Sequence, residues 1–138
     1  MATHHSMFSP KKYQQDPANG GGVLDSVEAY FKACHQHGRA SLAFTAVTEE
    51  LWGNGLPYNR LADFPPDMPY FCLRVPTGGG KTWLAAKSVS LINTHLLRVP
   101  HSVVLWLVPS KTIREQTLRG LQDRNHPLNA ALREAGPI

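Results

Sequence analysis

Between Val23 and His37 the apolar residues Val23, Leu24, Val27, Tyr30, Phe31 and Cys34 recur at spacings of three and four. That period gathers them on one face of an α-helix over 23–37, with Gly38 as its stop. A second, shorter helix is predicted from about Leu42 to Trp52. Gly53, Asn54, Gly55, Pro57, Pro65, Pro66 and Pro69 then crowd into 53–69, so this stretch reads as loop or linker. The pattern changes at Tyr70-Phe71-Cys72-Leu73-Arg74-Val75, a short aromatic and apolar run between Pro69 and Pro76 that predicts a strand. Lys81 to Leu97 returns to helical spacing, with Leu84, Ala85, Val89, Leu91 and Ile92 as its apolar positions. Ser102 to Val108 is almost uninterruptedly apolar, as expected of a strand buried on both faces of a parallel sheet. Ser110 is placed to cap a further helix bearing Ile113, Gln116, Leu118 and Leu121. Asn125 to Pro127 ends it, and a last short helix is predicted over Leu128 to Ala135.

Strand, glycine turn, helix, strand, helix is a βαβα order, so the expected fold class is α/β: a parallel sheet with a right-handed crossover in a three-layer sandwich. The chain divides into an N-terminal helical and loop region, 1–68, and an α/β part, 69–138. A flexible break is expected where the first ~22 residues end in Asn19-Gly20-Gly21-Gly22. No internal repeat is present.

Composition changes this picture little. The 138 residues include 42% apolar and 17% charged side chains, as in a soluble globular domain. No apolar run approaches the length of about eighteen residues that a membrane span needs. Met1 to Pro10 has no apolar core of a secretory signal, so the expected location is the cytoplasm. The net charge of +4 suits a partner that is a polyanion. Cys34 and Cys72 do not form a disulfide framework, and Cys72, inside an apolar run, is expected to be buried. Cys34-His35-Gln36-His37 holds three donor side chains within four residues with no second cluster to close a tetrahedral site. It therefore reads as the polar end of a helix.

The strongest chemical signal is Pro76-Thr77-Gly78-Gly79-Gly80-Lys81-Thr82, between a predicted strand and a predicted helix. A phosphate needs several backbone N–H donors converging on it at close range, which only glycine permits without a Cβ in the way. The helix start near Gly80 adds its own free N–H groups and the positive end of its dipole. Lys81 reaches the β- and γ-phosphates as a point charge, and the Thr82 hydroxyl suits Mg²⁺. Three glycines followed by Lys and Ser or Thr arise by chance in roughly one chain of this length in a few thousand. The general phosphate-loop pattern has another glycine five places before Gly80, where Val75 stands here.

Val75-Pro76-Thr77-Gly78-Gly79-Gly80-Lys81-Thr82 resembles motif I of the superfamily 2 helicases and translocases, which also lack that first glycine. Val104 to Gln116, an apolar strand ending in Pro109 and leading into a helix with a glutamine, is similar to their motif Ia. The chain most resembles the ATPase part of type III restriction endonuclease R (Res) subunits and related DEAD/DEAH-like proteins, well over 69–122 and loosely over 13–38. The resemblance implies the first part of a RecA-like domain, incomplete at its C-terminus. ATP and Mg²⁺ would be held by Thr77, Gly78, Gly79, Gly80, Lys81 and Thr82, with Lys81 the catalytic lysine. It implies that Pro109, Ser110 and Lys111 touch the phosphates of a nucleic acid, DNA or RNA. It also implies a restriction system with a modification methyltransferase as partner subunit. Lys12-Tyr13-Gln14-Gln15 is similar to the Tyr-Gln element in which a glutamine reads adenine, Gln14 being the first candidate and Gln15 the alternative. A polar N-terminal turn is the competing reading.

In that family turnover also needs an apolar strand ending in Asp-Glu to hold Mg²⁺ and position water. No such run follows Val108, and Glu115, Asp123 and Glu134 lie in polar or helical settings. The expectation is therefore a piece of an ATP-driven helicase or translocase, inert as an ATPase by itself and marginally stable. Another phosphate-loop enzyme such as a kinase, and a non-catalytic nucleotide-binding module, are the alternatives. A kinase would turn over without nucleic acid.

Overall fold

The computed structural model describes residues 11–14, 21–60, 62–65 and 67–136. Five α-helices follow in order: α1 (Val23–His37), α2 (Ala40–Trp52), α3 (Lys81–Leu91), α4 (Lys111–Gln122) and α5 (Pro127–Arg133). Between α3 and α4 a π-helical turn, π1, spans Ile92–Leu97. Segments 1–10 and 15–20, with Gln15 and the first half of the expected glycine break, lie outside the described residues.

Helix α1 begins where the periodicity starts. The Gly22 N–H donates to the Asp25 carboxylate at 3.1 Å, and Gly38 ends the helix in the left-handed region at φ 64°. Arg39 alone separates this stop from α2, so the two helices fold back on each other as a hairpin. Their shared core holds Val27, Tyr30, Phe31, Ala33 and Cys34 of α1 against Ala40, Ala43 and Val47 of α2. Tyr30 sits at the centre of an aromatic group, edge-on to Phe44 and Phe71 at centroid distances of 5.6 and 5.3 Å. A second core joins Leu24 to Trp83, Leu84 and Ala86 of α3 and to Leu128 and Ala131 of α5. Helix α1 thus touches α2, π1 and α3, while α5 bridges α3 and α4.

The expected α/β sandwich is corrected by this architecture: among the described residues there is no strand and no sheet, only helices joined by extended and looped chain. The runs predicted as strands are extended but unpaired. In 70–75 the side chains alternate as a strand's would. Phe71 and Leu73 pack on the first core and Val75 on the second, while Tyr70, Cys72 and Arg74 point outward. Cys72, expected to be buried, is exposed because it falls on the outward side. In 102–108 only Trp106 packs against a core. Val103, Leu105 and Leu107 are 102%, 82% and 81% exposed, the reverse of burial on both faces. Hydropathy reports a local conformation and a preference for burial. A ladder needs a second chain segment at hydrogen-bonding distance, which neither run finds among the described residues.

Smaller departures have local causes. The predicted helix over 81–97 changes at Ile92 from α to π geometry and stops at Arg98, a non-glycine residue at φ 54°. Helix α2 starts two residues earlier than predicted, at Ala40, whose methyl is buried against α1. Helix α5 is shorter than its pattern, Pro127–Arg133, with His126 Nδ1 accepting from the Leu128 N–H at 3.1 Å as its cap. The Cys34-His35-Gln36-His37 stretch is the last turn of α1, with Cys34 buried in the first core and the other three side chains exposed, and no cluster of three or more metal-ligating side chains occurs among the described residues.

Candidate phosphate-binding site

The extended run 70–75 delivers the chain to Pro76, where a turn closes with the Gly79 N–H donating to the Pro76 carbonyl at 2.9 Å. Gly80 then caps α3, and its carbonyl accepts the first helical bond, from Leu84 N–H, at 2.9 Å. Gly80 has φ 75°, in the left-handed region that a residue with a Cβ rarely adopts. A Cβ on Gly79 would collide with Val75 Cγ1 and stand 2.8 Å from the Pro76 carbonyl. The loop therefore needs glycine at both places, by lack of space at Gly79 and by backbone angle at Gly80. A backbone that turns this tightly into a helix start is the cradle an anion of phosphate type fits.

Lys81 is exposed and its ammonium group lies over the loop, donating to the carbonyls of Val75 at 3.3 Å and Pro76 at 3.1 Å. Thr82 and Gly80 line one wall of a cleft of about 370 Å³. Ile113, Gln116 and Thr117 of α4 line the cleft as well, together with His126 and Pro127. Thr77 and Gly78 lie exposed on the outer side of the loop. The donor set suits a polyphosphate: one lysine, loop and helix N–H groups, and a threonine hydroxyl that would hold a nucleotide-bound Mg²⁺.

Ser110 is where the α4 pattern put it, as the helix cap, its Oγ accepting from the Ile113 N–H at 3.3 Å. Lys111 is exposed and 3.8 Å from the Glu115 carboxylate. Pro109, Ser110 and Lys111 do not line the cleft that Thr82 lines, although the next turn of the same helix does. Gln14 stands against the loop, 2% exposed, with its side-chain amide donating to the Gly79 carbonyl at 2.9 Å. The cleft residues Trp83, Thr117 and His126 carry no signal in the sequence, since what makes them neighbours is the packing of α5 between α3 and α4.

A family model described as type III restriction enzyme, res subunit matches residues 24–134. No curated protein and no solved structure matches the chain.

Proposed function

Because the chain belongs to the family of type III restriction enzyme res subunits, we propose that it supplies the ATP-phosphate-binding part of a nucleic-acid-dependent ATPase. In a complete assembly that ATPase is a helicase or translocase moving on DNA, alongside a modification methyltransferase subunit. The observation that carries this reading is the loop 76–82. Its turn closes on Pro76, Gly80 holds a left-handed angle, and α3 starts directly behind it.

In this reading the N–H groups of Gly78, Gly80, Lys81 and Thr82 bind the phosphate chain, while that of Gly79 stays on the Pro76 carbonyl and holds the turn closed. Lys81 leaves the Val75 and Pro76 carbonyls to bind the β- and γ-phosphate oxygens, which offer it full negative charge in place of two peptide dipoles. Thr82 orients Mg²⁺, which when bound supplies charge neutralisation to the phosphates. Pro109, Ser110 and Lys111, at the start of α4, contact a DNA backbone phosphate, where a helix N-terminus and a lysine favour an anion.

Calorimetric titration of the chain with ATP and Mg²⁺ tests the assignment. Saturable binding is expected, weakened by about ten- to a hundredfold in Lys81→Ala, the range for a lost charge-assisted contact. Equal affinity of wild type and variant would remove Lys81 from the site and the assignment with it.

A further inference from the structure

Gln14 reaches the phosphate loop from a turn, Lys11 to Gln14, closed by the Gln14 N–H donating to the Lys11 carbonyl at 2.8 Å. Both ends of its buried amide are engaged. Oε1 accepts from the Lys11 N–H at 2.7 Å, and Nε2 donates to the Gly79 carbonyl at 2.9 Å. These partners fix which end of the amide is which, since an N–H requires the oxygen and a carbonyl requires the nitrogen. The same turn is bound to α1: the carbonyls of Tyr13 and Gln14 accept from the Val23 and Leu24 N–H groups at 2.9 and 3.0 Å. The Gly79 carbonyl is thereby moored to the first turn of the helix that carries most of the first core.

That mooring has a directional effect on the loop. The peptide unit joining Gly79 to Gly80 is trans, and in a planar trans unit C=O and N–H point opposite ways. Holding the Gly79 oxygen toward Gln14 turns the Gly80 N–H away from Gln14. The amide also occupies the space a side chain at position 80 would need: a Cβ there would stand 2.5 Å from Gln14 Nε2. Gln14 and Gly80 are complementary, one filling what the other leaves empty.

We propose that Gln14 is a positioning residue for the phosphate loop, setting the direction of the Gly80 N–H through the Gly79 carbonyl, independently of the base attached to the phosphate. The proposal rests on the reading of 76–82 as a phosphate site. It departs from base reading because Oε1 and one Nε2 hydrogen are already committed to backbone partners.

The test uses the whole chain carrying Gln14→Met, of similar length but without the amide, and Gln14→Glu, which still accepts from Lys11 but cannot donate to Gly79. Affinities for ATP, GTP and inorganic tripolyphosphate are compared with wild type. All three are expected to fall by about the same factor, on the order of tenfold, the effect of one buried carbonyl left without its donor. A loss confined to ATP, with tripolyphosphate unchanged, overturns the proposal and makes Gln14 a base reader. Unchanged affinity for all three overturns it as well. Amide exchange in the ligand-free chain provides the second readout. In both variants the Gly79 N–H, bonded to Pro76, is expected to exchange about tenfold faster while Phe31 in α1 keeps its protection. Unaltered exchange at Gly79 sinks the mooring itself. A wild type that fails to bind tripolyphosphate would instead sink the phosphate reading, with the exchange result still deciding the role of Gln14.

Discussion

The side chain of Asn93, 3% exposed in π1, donates from Nδ2 to the carbonyl of Ala135 at 3.1 Å, spanning 42 positions of the chain. Its other end is used too, Oδ1 accepting from the Ser102 hydroxyl at 2.7 Å. One amide thus ties together the π turn, the start of the extended run at 102 and the residues after α5. Replacing Asn93 by Ala leaves the buried Ala135 carbonyl without a donor, and about 1–3 kcal/mol of stability is expected to be lost. Asn93→Asp is expected to lose a similar amount, since a carboxylate cannot donate. Urea unfolding of the two variants beside wild type measures this, and an unchanged midpoint for both would contradict it.

Gly78 and Gly80 share a left-handed backbone, φ 76° and 75°, but not their surroundings. A Cβ at Gly78 meets nothing within 4 Å, whereas one at Gly80 strikes the Gln14 amide. Gly78→Ala is expected to cost only the backbone term of about 1–2 kcal/mol. Gly80→Ala adds a displaced Gln14 and should be the more destabilising of the two, with the larger loss of nucleotide affinity. Thermal denaturation and the ATP titration, run on both variants, decide the ranking.

How much of this was legible beforehand follows from the range of each interaction. The helices α1, α3 and α4 were visible because i, i+3, i+4 spacing is a property of neighbours in sequence, and the tight turn at 76–80 because its glycines are contiguous. That 70–75 and 102–108 are unpaired among the described residues was not legible. Both runs have strand-like composition, yet Leu105 and Leu107 stand in the open, because sheet formation depends on a partner that hydropathy does not name. The link from Gln14 to Gly79 joins residues 65 positions apart. A sequence contains Gln14 and Gly79 but not their meeting, and only the tie of the Lys11–Gln14 turn to α1 brings it about.

The exposed faces of Val103, Leu105 and Leu107 make up an apolar row on extended chain, a combination prone to association. The isolated chain is expected to self-associate at tens of micromolar, and Leu105→Lys with Leu107→Lys to restore the monomer. Both side chains already face solvent, so the double substitution should leave helix content unaltered. Light scattering across a dilution series reads the outcome, and equal scattering from the two proteins would show that this row is not responsible.

The two cysteines should differ sharply in chemistry. Burial pushes the Cys34 thiol above its ordinary value of 9.0, a shift partly offset by a hydrogen bond with the Tyr30 hydroxyl. Cys72 is exposed. Iodoacetamide at pH 8 is expected to label Cys72 and spare Cys34 in the folded chain, with mass spectrometry locating the label. Tyr30 is likewise raised above its ordinary 10.0, mainly by burial. For both groups the folded state holds its proton more tightly than the unfolded state. Their contribution to stability is therefore complete below pH 9 and is lost as pH rises beyond it. Tyr30→Phe should flatten the part of that decline above pH 10. A stability that stays level from pH 8 to 11 would count against both shifts.

The α1–α2 hairpin has a consequence for the order of events during folding. Every buried member of the first core lies between residues 27 and 47, so this pair can collapse through short chain closures that cost little entropy. The second core must bring residue 24 together with residues near 84 and 130, and so forms later. The glycine loop 76–80 is anchored to the early structure on one side, through Gln14, and to the late structure on the other, through α3. It takes its final shape only when the two halves dock, which makes the shape of the loop a report on whether the whole chain has folded.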